Sequence, residues 1–131
     1  MPTVLVVDDE AYLCELYKQE LSGVGYEVIA ALSGAEALTV LGQQQVDVVV
    51  LDIAMPGMDG VEMLRRILAI NNRLPVILNT AYTSYQDDFM TWAAESYVVK
   101  SADLSELLAR LEEALRKRSA GAAATESGKE A

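Results

Sequence analysis

The sequence predicts an α/β fold of five βα units, (βα)5, around a five-stranded parallel sheet, and three features of the chain predict it. Five short apolar runs, at residues 3–7, 27–31, 46–51, 75–79 and 96–99, have strand length. Val4-Leu5-Val6-Val7 and Val48-Val49-Val50-Leu51 are continuous rather than alternating, as parallel strands covered on both faces require. The runs begin roughly 20–30 residues apart, which leaves room for a crossover helix each time.

Each intervening segment supplies a helical signal. Leu13, Leu16, Tyr17, Leu21 and Val24 stripe one face of the first. Ser33 with Glu36 forms a capping box for the second. Val61, Leu64, Ile67 and Leu68 stripe the third, and Ser84 with Asp87 opens a short fourth. Asp103 with Glu106 opens the fifth, whose stripe is Leu104, Leu107, Leu108, Leu111 and Leu115. That stripe is too short for sustained heptads, so it predicts docking on the sheet rather than a coiled coil. Right-handed crossovers then place helices on both sheet faces. From Ser119 onward apolar periodicity disappears, which predicts a folded unit over residues 1–118 and a flexible tail over 119–131.

The chain of 131 residues suits one domain on the usual scale of about 100–200 residues. Hydrophobic residues make up 52%, enough for a core without a disulfide or structural metal. No apolar run approaches the roughly 18 residues of a membrane span. Met1-Pro2-Thr3 enters the first strand without a basic region or cleavage site, so the expected location is cytoplasmic. A formal net charge of −10 argues against direct nucleic-acid binding and favours basic partner surfaces. Cys14 lies on a helical face and reads as a packed thiol. The absence of histidine removes imidazole bases, imidazole ligands and any phosphohistidine role for this chain.

Ligand sites in such sheets lie beyond the carboxyl ends of the strands. The first run ends in Asp8-Asp9-Glu10, which by itself is a solvated helix cap as readily as a site. The third ends in Asp52, again ambiguous alone, because aspartate is common where a strand turns. Neighbouring first and third strands would bring Asp8, Asp9 and Asp52 together. Two carboxylates about 4 Å apart repel by roughly 4 kcal/mol at an effective dielectric near 20. Three require a cation or protonation, and hard oxygen ligands beside a phosphate site suit Mg2+. Thr80 ends the fourth run and Lys100 follows the fifth. A carboxylate nucleophile, a metal, a cation and a hydroxyl together make a site for phosphoryl transfer, which depends on positioning and charge neutralisation.

Val-Leu-Val-Val-Asp-Asp-Glu (4–10), Leu-Asp-Ile-Ala-Met-Pro-Gly-Met-Asp-Gly (51–60), Asn-Thr-Ala-Tyr (79–82) and Tyr-Val-Val-Lys (97–100) resemble the receiver domains of two-component response regulators, of the chemotaxis-regulator kind. The resemblance covers residues 3–118 and implies the flavodoxin-like receiver fold with strand order 2-1-3-4-5. It implies that Asp52 accepts a phosphoryl group from a histidine kinase or a phosphotransfer protein. Asp9 would bind Mg2+ directly, Asp8 mostly through water, and the Ala54 carbonyl as a further ligand beside Asp52. Lys100 would pair with Asp52 or the phosphoryl oxygens, Thr80 would swing toward them, and Tyr97 would turn inward. Tyr97 is also readable as an ordinary half-buried edge aromatic.

Phosphorylation adds roughly −1.5 to −2 charge. Two or three charge-assisted contacts of about 1.5–3 kcal/mol each match the about 5.5 kcal/mol that moves a population from 1:99 to 99:1. The implied readout surface is the fourth helix, fifth strand and fifth helix, facing a downstream protein target of unknown identity, with the chain a monomer or weak dimer. Three departures stand out. Ser101 replaces the family's common proline, which favours a trans Lys100–Ser101 bond. Asn79 occupies a position often apolar, where a local hydrogen bond is expected. Ala54 and Tyr82 sit where the family tunes water access, and either lengthen the phosphoryl lifetime or, for Tyr82, pack on the fourth helix. Competing readings are a phosphorylation-independent interaction module and an aspartate-dependent phosphatase. The phosphatase is disfavoured because Ala54 stands where such enzymes carry a second acid. The chain is a stand-alone receiver or part of a longer protein.

Overall fold

The computed structural model describes the backbone of residues 1–55, 57, 59–81, 94–101 and 103–130, and side chains as far as residue 118. Its elements are β1 (Thr3–Val7), α1 (Ala11–Gly23), β2 (Glu27–Ala31), α2 (Gly34–Gln43), β3 (Val48–Leu51), α3 (Gly60–Ile70), β4 (Val76–Thr80), β5 (Ser96–Val99) and α4 (Ser105–Glu130). The strands form one sheet in the order β2-β1-β3-β4-β5. Every pairing is parallel. The (βα)5 expectation and its strand order therefore hold. The helix expected from Ser84 and Asp87 lies outside the described residues.

Strand alternation divides the core into two layers. Val4, Val6, Val48, Val50, Ile77 and Val98 face α1 and α4, meeting Cys14, Tyr17, Leu21, Leu107, Leu111 and Ala114. Leu5, Val7, Val49, Leu51, Val76 and Leu78 face α2 and α3, meeting Ala37, Met63, Leu64 and Ile67. The continuous apolar runs of β1 and β3 are thus buried on both faces. The stripe of α4 docks on the sheet, as its length predicts.

Helix ends follow local chemistry. Ser33 Oγ accepts the Glu36 N–H at 3.1 Å, while Glu36 reaches back to the Leu32 N–H at 3.3 Å, one residue before the standard box partner. Asp59 caps α3 by accepting from Val61 and Glu62. Asp103 accepts from the Ser105 N–H at 2.9 Å at the start of α4. Gly25, with φ 101°, makes the left-handed turn after α1 and donates its N–H to Ser22 O.

One expectation needs correction. The buried face of α1 is Cys14, Tyr17 and Leu21, whereas Leu16 and Val24 are 37% and 58% exposed. Cys14, Tyr17 and Leu21, spaced three and four residues apart, make the face that meets the sheet. The helical backbone of α4 continues to Glu130, past Ser119. A docked helix is already nucleated, and Ala120, Ala122, Ala123 and Ala124 have the highest helix propensity, so propagation needs no apolar stripe.

Candidate functional site

The sheet's hydrogen bonding extends one residue past three strands, and this places the site backbone. The Asp8 N–H donates to Ala31 O at 3.1 Å, the Asp52 N–H to Val7 O at 3.0 Å, and the Lys100 N–H to Thr80 O at 2.8 Å. Gly57, at φ 70°, occupies the left-handed region between Asp52 and α3. A Cβ at Gly60 would run into Ile53, so the chain after Asp52 passes directly against the start of α3.

The side chains converge above these ends. Asp8 is 1% and Asp52 5% exposed. The Lys100 ammonium lies 2.7 Å from Asp8 Oδ2 and 2.8 Å from Asp52 Oδ2, with Glu10 Oε1 at 3.6 Å. Asp8 Oδ1 accepts the Glu10 N–H at 2.9 Å, and Asp52 Oδ1 accepts the Ala54 N–H at 2.9 Å. Both oxygens of each carboxylate are therefore engaged. Burial would by itself lower the Lys100 pKa, but hydrogen bonds to Asp52 and Asp8 outweigh it and hold the ammonium charged well above its ordinary range. For Asp8 the balance is reversed: burial raises its pKa despite the hydrogen bonds from Lys100 and the Glu10 N–H.

Carboxylate oxygens of Asp8, Asp9 and Glu10 lie within 4.8 Å of one another. Hard anionic oxygens at this spacing fit a hard divalent cation such as Mg2+. Lys100 links this trio to Asp52.

Of the residues singled out in the sequence, Asp8, Asp52 and Lys100 are in direct contact, and Asp9 adjoins them. Thr80 is fully buried at the end of β4 and is joined to Lys100 through its carbonyl. Ala54 meets Asp52 through its N–H. Tyr97 is half-buried in β5, opposite Leu78, and packs against the layer under α2 and α3. No cis peptide bond occurs among the described residues, so Lys100–Ser101 is trans. Tyr82 lies outside the described residues.

Sequence reasoning missed two contacts. Glu10 joins the acidic group and touches Lys100, which the third acid of Asp8-Asp9-Glu10 signals. Asn79 reaches far from its own strand: its Nδ2 donates to the Tyr17 hydroxyl at 3.1 Å, 62 residues away, and among the described residues no local partner accompanies it. An amide in an apolar strand marked Asn79 as unusual, but nothing in the sequence paired it with Tyr17. Cys14 is 3% exposed, donates its thiol to Asp8 O at 3.3 Å, and burial raises its pKa to about 11.

A doubly wound sheet with acids, an aspartate and a lysine gathered at its carboxyl edge defines a signalling module of the receiver class. The response regulator receiver domain model matches residues 4–112, and the chain belongs to that family. It is 43% identical to the response regulator TrrA of Thermotoga maritima, solved in complex with Mg2+–BeF. The TM-score is 0.84, covering 88% of this chain and 100% of that one. TrrA has also been solved in complex with the histidine kinase ThkA, at TM-score 0.82, 43% identity and coverages of 88% and 99%. The transcriptional regulatory protein PrrA of Mycobacterium leprae is 40% identical over 128 residues, or 96% of this chain and 54% of PrrA. The chain thus spans about half the length of that relative. No helix among the described residues is long and apolar enough to cross a membrane.

Proposed function

We propose that Asp52 accepts a phosphoryl group from a histidine kinase or phosphotransfer protein and thereby switches a protein-binding surface that includes β5 and α4. The observation that carries this reading is the shared ammonium: Lys100 joins Asp52 to Asp8 in a buried, acid-lined strand-end cluster. TrrA, with its Mg2+–BeF and kinase complexes, supports both the chemistry and the type of partner.

In the step itself an Asp52 carboxylate oxygen attacks phosphorus. The bond from phosphorus to the donor's imidazole nitrogen breaks, and its electron pair stays on that nitrogen. Asp8, Asp9 and the Asp52 carboxylate, with the Ala54 carbonyl, would hold Mg2+, which when bound neutralises charge between the carboxylates and the phosphoryl oxygens. Lys100 follows the charge, exchanging a carboxylate oxygen for a phosphoryl oxygen. Thr80 supplies the hydroxyl that contacts the modified group, and Tyr97 turns inward with it. The proposed receiver unit is residues 1–118, acting in the cytoplasm.

Incubation with acetyl phosphate and Mg2+, followed by intact-mass measurement, tests the reading. Wild type should gain one phosphoryl group and Asp52→Asn none. Unmodified wild type beside a competent control, or a modified Asp52→Asn, would overturn it, and the former outcome would favour a phosphorylation-independent module.

A further inference from the structure

β4 reads Val76-Ile77-Leu78-Asn79-Thr80, and its alternation turns Ile77 and Asn79 toward the layer of α1 and α4, with Leu78 and Thr80 on the other face. Asn79 and Tyr17 are 3% and 2% exposed, and their hydrogen bond crosses the α1 layer at 3.1 Å. Two apolar side chains would fill this space without burying polar atoms, so packing alone does not call for the pair. An amide–hydroxyl bond adds a fixed distance and direction, which apolar contact lacks.

That direction matters because of what adjoins it. The next residue, Thr80, accepts the Lys100 N–H at 2.8 Å, and Lys100 in turn holds Asp52. One turn earlier on α1, the Cys14 thiol donates to Asp8 O. α1 therefore reaches beneath two strand ends of the site with polar atoms. We infer that Tyr17 is a positioning residue for phosphoryl transfer: through Asn79 it fixes the end of β4, and with it Thr80 and Lys100 relative to Asp52. This rests on the reading of Asp52 as phosphoryl acceptor.

The test compares wild type, Tyr17→Phe, and the paired variant Tyr17→Phe with Asn79→Leu. Removing both partners of a buried bond is nearly neutral for stability, whereas Tyr17→Phe alone leaves the Asn79 amide unmatched. Phosphate uptake is followed against acetyl phosphate concentration at saturating Mg2+, alongside thermal unfolding. The paired variant should unfold at the wild-type temperature with an unchanged half-saturating donor concentration. Its maximal rate should fall by about tenfold, within the roughly 10²-fold that a 1 Å misplacement can cost. The Thr80 and Lys100 amide resonances should move as well. A structural role alone would restore the rate with the stability, so a paired variant with the wild-type maximal rate refutes the inference. If the paired variant does not fold, Tyr17→Phe is read by the same rate criterion. Wild type that takes up no phosphate refutes the acceptor reading itself, whereas phosphorylated wild type matched by the paired variant refutes only the positioning role.

Discussion

Replacing Lys100 with methionine keeps most of the apolar stem and removes the only charge standing between Asp8 and Asp52 among the described residues. Asp8 Oδ2 and Asp52 Oδ2 lie 2.7 and 2.8 Å from one nitrogen, so they stand at most the sum of these, about 5.5 Å, apart. At an effective dielectric near 20, their unshielded repulsion is then about 3 kcal/mol or more. The Asp8 and Asp52 side chains are only 2% and 7% exposed, so water relieves little of it. Removing one partner of such a buried pair typically costs about 3–5 kcal/mol, in line with this figure. Urea unfolding in EDTA should therefore show a midpoint about 2–3 M lower for Lys100→Met, at a slope near 1.5 kcal/mol/M. Added Mg2+ should raise that midpoint more than it raises wild type's, because the ion supplies the missing positive charge without displacing an ammonium. A loss below about 1 kcal/mol in EDTA, with equal responses to Mg2+, would refute the assignment of Lys100 as the clamp on both carboxylates.

Three further perturbations probe the frame around the site. Gly60→Ala should destabilise by about 3 kcal/mol, because the new methyl meets Ile53, and it should slow phosphate uptake because Ile53 follows Asp52; thermal unfolding and acetyl phosphate kinetics check both. Arg118→Ala removes donors that reach Val46 O at 3.3 Å and Asp47 O at 2.6 Å; urea unfolding should show a loss of about 1–2 kcal/mol with phosphate uptake unchanged. Cys14 should resist iodoacetamide at pH 8 in the folded protein and react fully in urea. Because its folded pKa, about 11, lies above the ordinary 9.0, its contribution to stability is complete below pH 9 and declines as pH rises toward 11, which alkaline unfolding would show.

The sheet was legible because burial on both faces leaves a mark in sequence: Val4–Val7 of β1 and Val48–Leu51 of β3 have no polar residue to place on a solvent face. The acids, Thr80 and Lys100 were legible because topology puts strand ends together whatever their side chains do. The inner face of α1 was less so. Leu16 and Val24 belong to the same apolar stripe as Tyr17, yet the face that meets the sheet runs through Cys14, Tyr17 and Leu21 and leaves them outside. The Tyr17–Asn79 bond was not legible at all. Polar pairing across 62 residues leaves no periodicity, and each residue alone has an ordinary local explanation. The backbone helix past Ser119 was not legible either, since helix propensity without amphipathicity looks like the composition of a linker.

The occupied state of Asp52 bears on the phosphoryl transfer proposed for it. Oδ1 accepts from the Ala54 N–H and Oδ2 from Lys100, so neither oxygen faces an incoming phosphorus unencumbered. Releasing a charge-assisted bond of this kind costs about 1.5–3 kcal/mol, which corresponds to roughly one to two orders of magnitude in rate if nothing replaces it. The Ala54 N–H is held by the chain that follows Asp52, whereas Lys100 has alternatives at 2.7 Å on Asp8 and 3.6 Å on Glu10. Oδ2 is therefore the oxygen that a cation or a phosphoryl group can free at least cost, because the ammonium keeps two carboxylate partners after letting it go. Glu10, left without a role by the sequence, is a further carboxylate within 3.6 Å of that ammonium. An ammonium with only Asp52 and Asp8 to choose from would hold the Asp52 carboxylate more tightly.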